Sequence, residues 1–577
     1  MHRLSCLRRF RVVVCIAAAC LLFLGGAAIA QNYVAPSVPV VGSYNTVTAN
    51  APVPRPSTTP CTVTLFQNFD FDDFNPRPFN YNGPPANCPG PWAAVVFEAN
   101  WWVDAGVQFD RTTNIWLGGY NIFFGTTAEP SGNFVRHWYT ESNLTELSPV
   151  FATAQQGTAI LGNLVNNQYT SHYHGSAYLQ FYPLAPGQTP PPAANMVLPM
   201  SAGATGGTVA LNTPSDQLSG TFTFPTNVER AYLDVFLQGQ QDDEFWYTCA
   251  PSNVAGELYS CPNTGFREGE VTIDGQAAGV APIYPWIFTG GIDPFLWQPI
   301  TGVHTLNFEP YRVDLTPFAS LLDNGQQHTV AVSVYNADMY FSACANLLLY
   351  QDLNSQQVTG NLTTNTIGQP DPMVTENIYT SPGLVGGPVS VVSTRGYTVD
   401  GYVNTSHGMV DTRIVQSIDF NNAQQYLVMT NGTLDNQKVE QGTSISSSTT
   451  TTTADNVTVE TKQFSWPLTL SYVYHAAPTG GFYQSTTLSQ GFNESVLVQL
   501  NGNSTYSSSF SDAVTPTDYL YVDSNGYAYP SNQTSSETYQ YSNSNGACWN
   551  QTINASSGAL TSIQGGQCGG QPTQGEK

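Results

Sequence analysis

Three stretches decide the fold class: Ala93-Ala94-Val95-Val96-Phe97-Glu98-Ala99, Asn114-Ile115-Trp116-Leu117-Gly118-Gly119-Tyr120-Asn121-Ile122-Phe123-Phe124, and Ala177-Tyr178-Leu179-Gln180-Phe181-Tyr182. Each is a short run rich in β-branched and aromatic residues, bounded by turn formers, which is how strands are written. Gly118-Gly119 separates two such runs as a tight turn. Strand signals resume at Leu218–Phe224, Ala231–Leu237, Glu270–Ile273, Thr329–Val334 and Ala345–Tyr350, after a break at Pro190-Pro191-Pro192 and the Gly-rich residues 201–207. No convincing helical period appears. The chain reads as all-β, with two tandem jelly-roll-like β-sandwiches over residues 61–200 and 201–360. Residues 361–577 read as a third β-rich, Ser/Thr/Asn-rich region with disordered loops. Its Ser444–Thr453 tract alternatively reads as a mucin-like stalk.

The ends and the composition fix the compartment. Arg3, Arg8, Arg9 and Arg11 precede the apolar run Val12–Leu24, and Ala28-Ile29-Ala30 offers small residues for cleavage before Gln31. Residues 1–30 therefore read as a signal peptide and 31–60 as a Pro-rich extended linker. The alternative is an uncleaved anchor, since the apolar stretch reaches about 18 residues when extended to Ile29. No later apolar run is long enough to span a bilayer. Four of the 16 basic residues and none of the 40 acidic ones lie in the signal, so the mature balance is 12 against 40, or −28. Nucleic acid and anionic lipid are excluded as natural partners by that charge. Abundant aromatic residues beside polar amides and hydroxyls suit sugars, because a ring face packs on the C–H face of a pyranose.

Seven cysteines follow the signal, and sequence neighbours pair as Cys61–Cys88, Cys249–Cys261 and Cys548–Cys568, leaving Cys344 as a buried thiol. Ten N-x-[ST] sequons occur, at Asn143, Asn361, Asn404, Asn431, Asn456, Asn493, Asn503, Asn532, Asn550 and Asn554. Nine lie beyond residue 360, which predicts a sugar-coated C-terminal region. Secretory export, to the outside, a cell wall or a vacuole or lysosome, follows from these features together.

Two clusters could carry chemistry: Val107-Gln108-Phe109-Asp110-Arg111 and Asp242-Asp243-Glu244-Phe245-Trp246-Tyr247. Carboxyls crowded beside apolar rings have raised pKa values, because desolvation and like charge both disfavour ionisation. A protonated acid and an ionised base in one cleft suit hydrolysis of an amide or glycosyl bond. The competing readings are a calcium site at Asp242–Glu244 and a structural Asp110–Arg111 ion pair. His172 and His174 share one strand face by their i, i+2 spacing, but no third metal ligand is evident in the sequence. His174 reads better as a substrate contact.

Several segments resemble the secreted plant and fungal peptide N-glycanases of the A type. They are Gly106–Arg111, Thr127-Ala128-Glu129-Pro130, Asp243–Tyr247, Ile273–Gly279, Ile287–Ile292, Leu296–Ile300, Tyr311–Phe318 and Ala345-Asn346-Leu347, in family order over residues 60–360. The resemblance implies hydrolysis of the amide between N-acetylglucosamine and asparagine in N-glycopeptides or unfolded glycoproteins, without metal or organic cofactor. It implies catalytic acids among Asp110, Asp243 and Glu244, with Arg111, Trp246, Glu129 and His174 binding substrate. Glu129 also reads as a strand-end carboxylate capping backbone amides. The related bacterial F-type enzyme has two jelly rolls with acids at their interface. Its Cys-Asp-Glu-Trp-Asp-Arg run, aligned on Asp110-Arg111, places Val107 where its first acid stands; Asp104 and Asp110 are the nearby replacements. The rival class is a lectin-like or structural surface glycoprotein.

Overall fold

The computed structural model describes residues 39–568; the signal-peptide reading and the start of the Pro-rich segment lie outside them. The chain is all-β. In the first unit one sheet takes the order Cys61–Phe71, Tyr173–Pro183, Trp92–Val103, Arg136–Asn143, and the other Arg77–Tyr81, Gln155–Leu161, Thr112–Leu117, Tyr120–Thr126. Their inner faces share one core, with Phe97 and Trp101 stacked on Phe123 at 5.3 and 5.8 Å. Gly118 and Gly119 have φ of 58° and 90°, values that an L side chain resists and that a tight hairpin between Leu117 and Tyr120 demands.

The second unit repeats the arrangement. Val209–Leu211, Tyr340–Gln351, Val228–Gln240 and Tyr311–Asp314 form one sheet; Leu218–Thr223, Gln327–Tyr335, Glu268–Ile273 and Gln276–Pro282 form the other. Met196–Met200, expected to close the first sandwich, pairs instead with Tyr340–Gln351 of the second. Cys344 is buried between the units beside Phe124, Phe236 and Phe308. The disulfides are Cys61–Cys88, Cys249–Cys261 and Cys548–Cys568.

The C-terminal region differs from the expectation of disordered loops. It is one 12-stranded antiparallel sheet spanning Thr359–Asn365 to Ala559–Gln567, with strands of up to 22 residues. The Ser444–Thr453 tract is mostly strand, within Leu434–Thr452. Burial alternates along Gly408–Met429 as period 2 requires, yet many inward residues are polar: Thr412, Gln416, Asn422 and Gln424. Asn422 and Gln424 on this strand, with Gln437 and Gln490 on others, serve as hydrogen-bond partners for loops of the second sandwich. Asn422 Nδ2 donates to the Tyr247 carbonyl at 2.8 Å, Gln424 Nε2 to Cys249 at 2.9 Å and Gln437 Nε2 to Thr248 at 3.0 Å. Gln490 Nε2 donates to the Pro285 carbonyl at 2.7 Å, and its Oε1 accepts from the Val303 amide at 3.0 Å.

Residues 39–60 are extended but not a free linker. Thr46 takes the His137 carbonyl, Val47 bridges to Ile300, and Leu560 exchanges hydrogen bonds with Gly42 and Ser43. This strap ties both sandwiches to the last strand.

Several carboxyls are buried without a cationic partner, so burial raises their pKa values: Asp323 to about 7, and Asp512 and Asp518 upward as well. A carboxyl whose folded pKa is raised binds its proton more tightly in the fold than in the unfolded chain. Stability is then full below the unfolded value near 4 and declines as pH rises through the folded values. The melting temperature should therefore fall between pH 5 and pH 8, and Asp512→Asn should flatten that slope when both proteins are followed by calorimetry.

Candidate functional site

The candidate site lies where the two sandwiches meet. Their contact is made by backbone at close quarters. The Thr126 amide and hydroxyl both donate to the Thr305 carbonyl at 2.9 Å, and Phe308 donates to Phe124 at 2.8 Å. Thr289 Oγ1 reaches the Thr127 carbonyl at 2.7 Å. A side chain at Gly125 would collide with the Leu306 carbonyl, so glycine is what permits the approach.

Asp110 stands in the loop entering Thr112–Leu117, and Glu129 follows Tyr120–Thr126, so the hairpin brings both to one end of the first sandwich. The Asp110 amide donates to Glu129 Oε2 at 3.1 Å. From the second sandwich Gly290 abuts both: its backbone amide favours the Asp110 anion, and a Cβ there would strike Asp110 Oδ1 and lie 3.1 Å from Glu129 Oε2. Glu244, in the 3-10 segment Gln241–Thr248 of the second sandwich, is near enough to Asp110 for their charges to interact.

The surroundings of these three carboxyls act on their protons unequally. Burial raises all of them. For Asp110 the rise is opposed by the Gly290 amide and by Arg111, which favour the anion. Glu244 is lifted to about 8 by burial and then by the Asp110 charge. Glu129 is raised well above its usual range by the same two causes, in that order. Of the three, Asp110 is the one whose surroundings most favour the anion, and Glu129 and Glu244 are pushed furthest toward holding a proton.

The neighbours keep water and movement out. Tyr173, fully buried, donates to the carbonyls of Phe109 and Ala128 at 2.8 and 3.2 Å. Arg111 is held by Gln108 Oε1 at 2.6 Å and the Asp110 carbonyl at 3.2 Å, leaving its Nε without a partner. Arg136 is buried close to Glu129, and its NH groups reach the Tyr44 carbonyl and Gln298 Oε1 at 3.2 and 2.7 Å. Sequence reasoning missed Gly290, Tyr173 and Arg136. The first lies in a Gly-Gly pair, which was the available signal; the other two carry none, because only the fold brings them to Glu129.

Other expected site residues lie elsewhere. Asp243 is 0% exposed, paired with Arg267 Nε at 2.7 Å and accepting from the Asp338 amide at 2.6 Å. Burial pushes it up to about 6, and Arg267 opposes that rise, so it is an anion of the framework. Trp246 is 3% exposed and packs on Tyr247 and Phe420, with no ring face free for a sugar. His174 faces away from Asp110: strand alternation turns Tyr173 inward and His174 outward, where it bonds Asp104 at 3.1 Å and stacks on Trp102. Val107 is 53% exposed, and its carbonyl accepts from Thr170. Asp70 and Asp72 join His172 in a group with cation-binding spacing, ligands the sequence did not reveal, but Arg77 pairs with Asp72 at 2.6 Å.

An all-β chain with three carboxyls of unequal surroundings at a sandwich junction has the makings of an acid–base hydrolase. A family model described as peptide N-acetyl-β-D-glucosaminyl asparaginase amidase A matches residues 50–368. The chain is 31% identical over 412 residues to the peptide-N4-(N-acetyl-β-glucosaminyl)asparagine amidase A of Prunus dulcis, covering 67% of this chain and 70% of that protein. Two solved structures are also similar. PNGF-II has 13% identity and a TM-score of 0.36 over 51% of this chain and 66% of its own. PNGase F of Flavobacterium meningosepticum has 10% identity and a TM-score of 0.34 over 51% and 96%. The chain belongs to the peptide N-glycanase A family.

Removing the Asp243 charge leaves Arg267 buried and unpaired, which costs about 3–5 kcal/mol. Asp243→Asn should lose stability of that size in urea unfolding, and Arg267→Leu added to it should restore part.

Proposed function

We propose that this chain hydrolyses the side-chain amide joining N-acetylglucosamine to asparagine in N-glycopeptides, at Asp110 and Glu244. What supports the assignment is that Asp110 and Glu244, from different sandwiches, stand close enough at the junction for their charges to interact, with Arg111 favouring the Asp110 anion and burial lifting Glu244 to about 8, in a member of this family. Asp110 takes a proton from water, whose oxygen bonds to the amide carbon. Glu244 gives its proton to the departing nitrogen, and the C–N bond breaks. The peptide keeps aspartate, and the glycosylamine decays in water to free glycan and ammonia. Because the bond broken is an amide, neither inversion nor retention at the anomeric carbon is involved. Arg111, with its Nε unpaired, stands beside Asp110 as a donor for substrate oxygen, and Glu129 keeps Asp110 in place through its backbone amide.

Three disulfides fit a protein of the secretory pathway, and no helix among the described residues is long and apolar enough to cross a membrane. We place its work outside the cell or in an acidic wall or vacuole, with glycans on its own exposed sequon asparagines, such as Asn361, Asn404 and Asn503.

With a dansylated glycopeptide as substrate, mass spectrometry should show loss of the glycan and a gain of about one dalton at asparagine. Asp110→Asn and Glu244→Gln should each reduce kcat about a hundredfold or more. Glu244 is protonated below about 8, so kcat/KM should fall as pH rises past that value, and Glu244→Gln should abolish that limb. A folded Glu244→Gln protein with near-normal turnover would remove Glu244 from the mechanism. Gly290→Ala, which alters no charge, should cost about a hundredfold in turnover by displacing Asp110.

A further inference from the structure

The sandwich-facing side of the C-terminal sheet is not filled everywhere. Two cavities of about 470 and 490 Å³ open along it and share His304, Glu309 and Glu494. Neither includes Asp110, Glu129 or Glu244. Each volume lies in the range of small-ligand sites, about 300–1,000 Å³.

Their common floor follows from register. Phe464 pairs with Glu494, Glu494 with Phe510, and Phe510 with Tyr541. Directly paired residues share a face at strand spacings of about 4.8 Å, so this row of ring, carboxyl, ring and phenol extends about 14 Å. Phe464 and Glu494 line one cavity, and Glu494, Phe510 and Tyr541 the other. The row therefore joins the two into one groove. Tyr311 of the second sandwich faces Phe464 with ring centroids 6.1 Å apart. Above the row His304 sits 4.8 Å from the ring of Phe492 and 5.9 Å from that of Phe510. Its side chain is 6% exposed, its Nδ1 is 3.6 Å from Glu309, and its buried Nε2 has no hydrogen-bond partner.

Each feature constrains the occupant. The lining acids Glu146, Glu309, Asp314, Glu460 and Glu494 outnumber the cations Arg230, Arg312 and Lys462, the last 2.7 Å from Glu460, so an anion is disfavoured. A wholly apolar ligand would leave Glu494 and His304 Nε2 without partners, which costs free energy for each group. Ring faces alternating with hydrogen-bonding groups, at a spacing close to the length of one sugar unit, suit a chain of pyranoses. We propose that this groove between the C-terminal sheet and the sandwiches is a second saccharide site, binding a neutral oligosaccharide apart from the carboxyls that cut the amide.

Calorimetric titration of the full-length protein with mannotetraose, chitotetraose and the anionic tetragalacturonate tests this. Saturable binding of at least one neutral tetrasaccharide is expected. It should persist in Asp110→Asn and weaken about tenfold or more in Phe464→Ala and in Glu309→Gln, the latter at an exposed position that does not threaten folding. Glu309→Gln should leave hydrolysis of a chitobiosyl peptide unchanged, so failure of this site is distinguishable from failure of the amidase reading. The proposal falls if no neutral tetrasaccharide binds at about 10 mM, a concentration that would reveal even millimolar affinity. It falls equally if binding vanishes in Asp110→Asn but is untouched by both groove variants, or if tetragalacturonate binds best.

Discussion

Asp110 is useful because two separate sandwiches hold it. Its own sandwich supplies Glu129, which accepts from its backbone amide, and the second supplies Gly290, whose backbone abuts its carboxyl and favours the anion. That cross-unit approach exists because Gly125 lets Leu306 come close and because Thr126 and Thr289 lock the adjacent backbones together. Burial first, and then the Asp110 charge, lifts Glu244 and Glu129 above their usual range. A carboxylate that loses its donor becomes protonated in a buried place, and its neighbours then lose the cause of part of their own shift. The protonation pattern of the site is therefore a property of the junction more than of any one acid.

The same logic extends outward to the C-terminal sheet. Glu244 lies on a short 3-10 segment, too brief to hold its own shape by helical hydrogen bonds. Its following carbonyls, at Tyr247, Thr248 and Cys249, are capped by Asn422, Gln437 and Gln424 from the sheet. Cys261 pins the same segment through Cys249, and Asp243 pins it through Arg267. Side-chain amides satisfy a buried loop backbone much as a neighbouring strand would. This explains an inward face of Gln, Asn and Thr that would be costly against an ordinary apolar core.

That face also marks where the sequence was legible and where it was not. The Val/Phe/Trp runs of the first two units alternate against apolar cores, so strand positions, the turn at Gly118-Gly119 and the neighbour pairing of cysteines could be read directly. Beyond residue 360 a strand such as Leu434–Thr452 buries Gln437, Gln441 and Thr443, so its period is hidden from a hydrophobicity pattern and resembles a disordered tract. Site reading met a similar limit. Motif proximity grouped Asp243 with Glu244, and Trp246 with a sugar, because neighbours in sequence look like neighbours in function.

The Asp243–Glu244 pair shows why adjacency misleads. In an extended strand successive side chains oppose each other, and in a 3-10 turn they diverge by about 120°. Either geometry sends two consecutive acids to different surroundings. One meets Arg267 and the Asp338 amide and is held as an anion; the other meets low-polarity walls and the Asp110 charge and keeps its proton. Both are desolvated, so burial alone does not assign their roles. The presence or absence of a fixed cation decides which can give a proton to a departing nitrogen. By that criterion Glu244, on which no cation acts, fits the acid of the proposed mechanism and Asp243 does not. Glu129 is set apart because Arg136 and Arg111 act on it and its Oε2 already accepts from the Asp110 amide.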